Sequence, residues 1–152
     1  MDMLMPPIAC TGLSTGRMKY EVPESLENYL TAILRIENRN SKVRVKDIAC
    51  ELGLKNGSVV GALKKLDALG LVIYPAYRPI NLTEDGRRLA EYISWRRGIL
   101  VRFFMTVLHI EPEVAKASAN RIGHGLKDEV IERMRRFMAE TYANLAEPLD
   151  VW

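Results

Sequence analysis

The stretch from Val45 to Thr83 constrains the fold more than any other part of the chain. Val45–Leu52 (VKDIACEL) carries Ile48, Ala49 and Leu52 at the spacing of one short helix face. Gly53 follows where a left-handed residue ends a helix. A second helix is predicted from Asn56 to Leu69, with Val59, Ala62, Leu63, Leu66 and Leu69 inward and Gly70 ending it. Two short helices around a tight turn make a helix-turn-helix unit. Leu71–Tyr74 and Ile80–Leu82 then read as two short strands joined through Pro75, Ala76, Tyr77, Arg78 and Pro79. Thr83 is placed to cap a long following helix, with Glu84 and Asp85 at its positive end. That order predicts a helix-turn-helix with a hairpin wing.

The flanks read as helices. Leu26, Tyr29, Leu30, Ile33, Leu34 and Ile36 give a helix from Pro23 to about Glu37. Leu89, Tyr92, Ile93, Ile99, Leu100, Phe103, Phe104 and Leu108 carry the helix after Thr83 to about His109. Pro112 opens another, which Gly123 and Gly125 interrupt, and Asp128 to Ala143 forms the last. The fold class expected is mainly α, with an N-terminal winged helix-turn-helix and a C-terminal helical dimerisation domain. The divisions expected are a flexible arm over 1–20, a winged-helix domain over 21–90, a helical domain over 91–145 and a tail over 146–152. The arm is read from Pro6, Pro7, Gly12 and Gly16.

Charge gives the wing and its helices a partner. Lys42 to Arg102 holds 12 Lys and Arg against 6 Asp and Glu, a net +6, whereas the remainder nets −3. A basic middle beside a mildly acidic remainder suits a module that faces an anion. The second helix of such a unit enters the major groove of DNA with its N-terminal residues nearest the bases. Its outward positions are Lys55, Asn56, Gly57, Ser58, Val60, Gly61 and Lys64, with Arg78 at the wing tip. Lys55 and Lys64 suit phosphates or guanine acceptors, and Asn56 and Ser58 suit base edges or phosphate. Gly57 and Gly61 permit close backbone approach but remove readout, at a helix cost of up to ~1 kcal/mol each. Affinity is therefore expected to be dominated by phosphate contact and to depend strongly on salt.

Other classes recede. The two cysteines, Cys10 and Cys50, form no CxxC, and Cys50 is expected as a small core residue. No apolar run reaches the length of a membrane span, and no secretory signal is legible, so the cytoplasm is the default location. No nucleophile–base pair, phosphate-cradling loop or paired acids suggest an enzyme. Phe103, Phe104, Val107, Leu108, Val130, Met134, Phe137 and Met138 exceed the apolar surface a short monomer tolerates. A two-fold homodimer would cover them and set two reading helices on double-stranded DNA.

Three segments together resemble one family: ENYLTAILRI, the block VRVKDIACELGLKNGSVVGALKKLDALGLVIYPAYRPINLTEDGRRLA, and GHGLKDEVIERM. The chain is similar over about Glu24 to Phe137 to the diphtheria toxin repressor family of metal-dependent regulators, especially its shorter manganese-sensing branch. The resemblance implies a winged-helix DNA-binding domain joined to a helical dimerisation domain, without the third domain of longer members. It implies a DNA-binding transcriptional regulator, a repressor by type, that answers to Mn or Fe.

The ligand positions depart from that pattern. The resemblance places Asn28 where the family has Asp or Met, and Thr31 where the manganese branch has Glu. It places Arg97 for a His, Val101 for a Glu, Asn120 for a Glu or Cys, Gly123 for a Glu, and Lys116 where some members have a second-site His. Only His124 is retained. One imidazole and two neutral amides do not hold a hard divalent cation tightly, so no cofactor is expected. Three readings stay open. Arg97, with or without Lys116, replaces the metal's charge and bridges the domains to Asn28, Asn120 or nearby carbonyls. Alternatively the pocket has decayed and Arg97 reaches solvent, or a metal is held by other ligands such as His109 or Glu113 with His124. A further alternative is a dimeric interaction protein that has lost specific DNA readout.

Overall fold

A computed structural model describes residues 22–39 and 42–142. The expected arm over 1–20 and tail over 146–152 lie outside the described residues. Among the described residues six helices and one hairpin follow in the order expected: α1 (Glu24–Asn38), α2 (Val45–Leu52), α3 (Asn56–Ala68), β1 (Val72–Ile73), β2 (Asn81–Leu82), α4 (Glu84–Thr106), α5 (Pro112–Gly123) and α6 (Asp128–Thr141). No helix among the described residues is long and apolar enough to cross a membrane.

The local signals act as the chemistry requires. Asp47 accepts the Arg44 backbone N–H at 3.0 Å and starts α2. Gly70, at φ +71°, ends α3 in the left-handed region. That turn lets the Leu71 N–H reach back to the Leu66 carbonyl at 3.0 Å. The chain then enters β1, and β1 pairs antiparallel with β2 in the register Val72↔Leu82 and Ile73↔Asn81. A bridge between Val43 and Ile80 fastens the wing to the segment before α2. Thr83 caps α4, accepting the Gly86 N–H at 3.0 Å and donating to the Gly70 carbonyl at 2.7 Å.

Two apolar cores result. The first packs α1, α2, α3 and the wing against the start of α4, with Leu30, Ile33, Ile48, Leu63, Leu66, Leu71 and Ile80 fully buried. It ends on α4 at Ile93. The second begins at Ile99 and joins α4 to α5 and α6 through Leu100, Val101, Phe104, Ala115, Ala119, Ile131 and Met138. Helix α4 is thus shared by both cores. Glu37 ties the first core together, since its carboxylate accepts the Leu82 N–H at 3.1 Å and pairs with Arg87.

Three sequence expectations need correction. Phe104 and Met138 were expected on a dimer surface but are buried in the second core of the same chain. Cys50 was expected inward but is exposed, because α2 turns Ile48 and Ala49 to the core instead. Leu69, the residue after α3, is also exposed.

Helix α6 carries an acid-sensitive trio of charges. Glu132 accepts from Arg135 at 2.7 and 2.8 Å and from Arg136 at 3.1 Å. Those bonds, Arg135's foremost, draw its carboxyl down from 4.5 to about 2. A carboxylate with a depressed folded pKa adds stability above its unfolded value and loses it as pH falls. The loss should run from about pH 4.5 toward 2. The group is partly exposed, so it amounts to less than about 1 kcal/mol. Glu132→Gln should flatten this limb in urea unfolding curves recorded across that window.

Candidate nucleic-acid interface and interdomain site

Helix α3 turns Val59, Ala62, Leu63 and Leu66 into the core, which fixes what it offers outward. Lys55, Asn56, Gly57, Ser58, Gly61 and Lys64 are all exposed, and Val60 is half-buried. A side chain built on Gly57 or Gly61 would meet nothing within 4 Å, so neither glycine serves the packing. Arg78 is exposed in the wing loop. Beside it Tyr77, at φ +60°, is fully exposed. Between α3 and the wing lies an open hollow of about 800 Å³, lined by Lys42, Arg44, Lys64 and Arg78 with Asp67 as its one acid. Asp67 is engaged, accepting the Tyr74 N–H at 3.1 Å. Lys42, Arg44 and Tyr77 were not singled out in the sequence. The register Val43↔Ile80 carries the first two onto the wing side, and that pairing has no local sequence signal.

The second site lies where the two cores meet. Arg97 is the buried cation between Ile93 and Ile99, and its guanidinium pairs with Glu27 of α1 at 3.0 Å. The other oxygen of Glu27 meets His124 Nδ1 at 2.8 Å. Side-chain exposure is 7% for Arg97, 13% for Glu27 and 44% for His124. Burial foremost pulls the Arg97 pKa down, and Glu27 opposes that shift. A guanidinium stays charged through such a shift. Glu27 therefore joins α1 to α4 and to the end of α5.

Arg96, the neighbouring residue, holds the turn that carries His124. It donates to the Gly123 carbonyl at 2.8 Å and to the Leu126 carbonyl, and pairs with Asp128 at 3.3 Å. Tyr92 donates to Asp128 and lies under the Arg96 guanidinium. Burial and the Asp128 bond push the Tyr92 phenol up to about 12, so it keeps its proton as donor.

The partner of Arg97 differs from the expected ones. It pairs with Glu27, neither with Asn28, which is exposed, nor with Asn120, whose buried Oδ1 has no hydrogen-bond partner. Arg97 does not reach solvent either. Lys116 pairs with Glu113 on its own helix at 3.2 Å. The sequence reading missed Glu27 and Arg96. A signal for Glu27 existed: it precedes Thr31 by one helical turn, and Thr31 and Leu34 are buried on that face.

The residues at the ligand positions that the resemblance implies do not fit a hard divalent cation. The Thr31 hydroxyl is spent on the Glu27 and Asn28 carbonyls of its own helix, at 3.3 and 3.1 Å. Val101 is buried and apolar, and Gly123 has no side chain. Arg97 sets a fixed positive charge on the nearest carboxylate. Among the described residues no three His, Cys, Asp or Glu come together to hold a metal, so His109, Glu113 and His124 do not form such a set.

Comparison with known proteins supplies the frame. Residues 21–80 match the iron dependent repressor N-terminal DNA binding domain, and residues 83–143 match the metal binding and dimerisation domain of the same family. An uncharacterized HTH-type transcriptional regulator of Methanocaldococcus jannaschii is 34% identical over 116 residues, covering 76% of this chain and 93% of that protein. The transcriptional regulator MntR of Escherichia coli is 30% identical over 114 residues, covering 75% and 73%. Among solved structures, the manganese regulator SloR aligns with TM-score 0.69 and 25% identity over 75% of this chain. A hypothetical protein of Sulfolobus solfataricus aligns with TM-score 0.61 at 17% identity and shares the fold over 98% of its own length. The chain spans about half the length of SloR, 53% of it.

Proposed function

The chain belongs to the iron dependent repressor family of DNA-binding transcriptional regulators, and from that premise we propose that it binds duplex DNA as a homodimer through α3 and the wing. The observation that carries this reading is the α3 face, bare of acids from Lys55 to Lys64 and continued by Lys42, Arg44 and Arg78 beside the wing. Lys55 and Lys64 meet phosphates or guanine edges, Asn56 and Ser58 reach bases, and Val60 supplies an apolar contact. Arg78 binds backbone phosphate from the wing. The family is one of regulators, which sets the enzyme class aside, and repression in the cytoplasm is the mode that suits it.

The dimer face is proposed from the exposed part of the second core. Phe137 and Val130 are exposed on α6, with Phe103, Val107 and Met134 half-buried around them. Phe137 already meets Phe103 edge-on at 6.3 Å. A second copy would cover this patch and space the two α3 helices along a palindrome.

The test is a salt titration of binding to a duplex selected from a random library. Log affinity should fall linearly with log salt, and Lys55→Ala and Lys64→Ala should each reduce the slope by about 1. Unchanged slopes in both variants would remove α3 from the interface.

One observation favours a second reading, in which the dimer binds a partner protein without DNA readout. Gly57 and Gly61 leave the α3 face bare, with open space above both. Gly61→Ala separates the two. It should raise stability by up to ~1 kcal/mol in thermal unfolding under either reading. If the DNA backbone packs on the bare face, the same change weakens duplex binding. If binding to duplex is unaltered, the close approach is absent and the interaction-protein reading gains.

A further inference from the structure

We propose that the Arg97 guanidinium, clamped on Glu27, ties the DNA-binding half to the dimerisation half with a fixed charge of its own, without Mn or Fe. This rests on the reading of the chain as a DNA-binding regulator given above. Four observations carry it.

Position comes first. Arg97 stands on α4 between the last residue of one core, Ile93, and the first of the other, Ile99. Glu27 comes from α1, in the N-terminal half. Their bond at 3.0 Å spans the two halves.

Geometry is the second. Both oxygens of Glu27 are taken, one by Arg97 and one by His124, so two elements of the C-terminal half grip one carboxylate of the N-terminal half. Arg96 fixes the turn bearing His124 through the Gly123 and Leu126 carbonyls. His124 is the one retained ligand position, and its Nδ1 is directed at Glu27.

Burial is the third. Arg97 and Glu27 are both largely out of water. A buried charge without its partner is strongly disfavoured, whereas the pair is tolerated. Breaking the clamp therefore requires both groups to be solvated together.

Charge is the fourth. A divalent cation brought to Glu27 would stand beside a guanidinium that cannot lose its proton under ordinary conditions. Of the other ligand positions, Thr31 has its hydroxyl engaged, Val101 and Gly123 have no donor, and Asn28 and Asn120 offer only neutral amide oxygens, which do not replace carboxylates for a hard cation. The clamp excludes the metal by occupying its counter-charge.

The experiment uses the full chain, stripped with EDTA, exchanged into chelator-free buffer and then titrated with Mn²⁺. Free Mn²⁺ is read by its electron paramagnetic resonance signal, and duplex affinity is measured on a library-selected DNA with and without EDTA. The clamp predicts an undiminished Mn²⁺ signal and the same affinity under both conditions. Arg97→Gln and Glu27→Gln should each weaken duplex binding by about tenfold or more. The double variant should be no worse than either alone, because the two groups act as one unit. Arg97→Lys, which keeps the charge but loses the planar fork, should fall between wild type and Arg97→Gln.

Stoichiometric loss of the Mn²⁺ signal, or loss of duplex binding in EDTA, overturns the proposal. Additive effects of the two Gln variants overturn it as well. If no duplex is selected at all, the DNA reading fails separately, and the Mn²⁺ titration of the unaltered chain still tests whether the clamp excludes the metal.

Discussion

Gly86→Ala is expected to cost about 3 kcal/mol of stability, at the upper end of overpacking effects. A methyl group built on Gly86 would lie 1.8 Å from the Leu71 carbonyl oxygen and 2.8 Å from its carbon. The obstacle is backbone, so no rotamer change relieves it. That carbonyl is also committed, since it accepts the Thr83 N–H at 3.1 Å just before α4 begins. The clash must push α4 away from the end of α3, and the Thr83 cap on Gly86 goes with it. Each kcal/mol lowers Tm by roughly 2–4 °C in a chain of this size, so a fall of roughly 6–12 °C should appear in thermal unfolding. Gly61→Ala is the control, because the same chemistry there meets open space and has the opposite expected sign. A neutral Gly86→Ala would mean that the junction of α3, β1 and α4 is looser than described.

Arg97→Ala should cost about 3 kcal/mol in urea unfolding, for a different reason. The substitution leaves Glu27 at 13% side-chain exposure with only His124 beside it. A carboxylate so placed must lose its charge or draw in water, and both oppose folding. Glu27→Gln with Arg97→Gln should recover part of the loss, since two amides can hydrogen-bond without a buried net charge. A cost below about 1 kcal/mol for Arg97→Ala would place the pair among solvated surface bridges instead.

These two sites show where sequence patterns inform and where they stop. Gly53, Gly70 and Thr83 are local devices, and each does in the fold what its type implies. The helix ends they mark were legible because a cap or a left-handed turn is decided by a few neighbouring residues. The α3 face was legible too, since burying Val59, Ala62, Leu63 and Leu66 leaves Lys55, Gly61 and Lys64 nowhere to go but outward.

Gly86 was not legible, because its requirement comes from Leu71, a residue brought near by the hairpin. The strands proved shorter than the apolar runs suggested, with only two residues each in register. Phe104 and Met138 illustrate the limit of counting apolar residues. Both belong to the same stripes as Phe103 and Phe137, and only the crossing of α4, α5 and α6 decides which side is core.

At the interdomain site, position and chemistry parted. Arg97 lies on the stripe Ile93, Leu100, Phe104 of α4, and a cation on an apolar stripe signals a buried partner. The partner's identity needed the relative placement of α1 and α4. Asn28 and Asn120 were reasonable by type. Glu27 prevails because it sits one residue earlier on α1, toward the buried face, and a carboxylate is the acceptor set a guanidinium fork fits best.

The central claim is that two copies of this chain present α3 to one duplex, and a hydroxyl-radical footprint on the selected DNA tests it most directly. Two symmetric protected patches, centred about one helical turn or a whole multiple of it apart, are predicted. Lys55→Ala should weaken both equally, and Phe137→Asp should abolish the paired pattern. A single asymmetric patch, or protection unaffected by Lys55→Ala and Lys64→Ala together, would contradict the account.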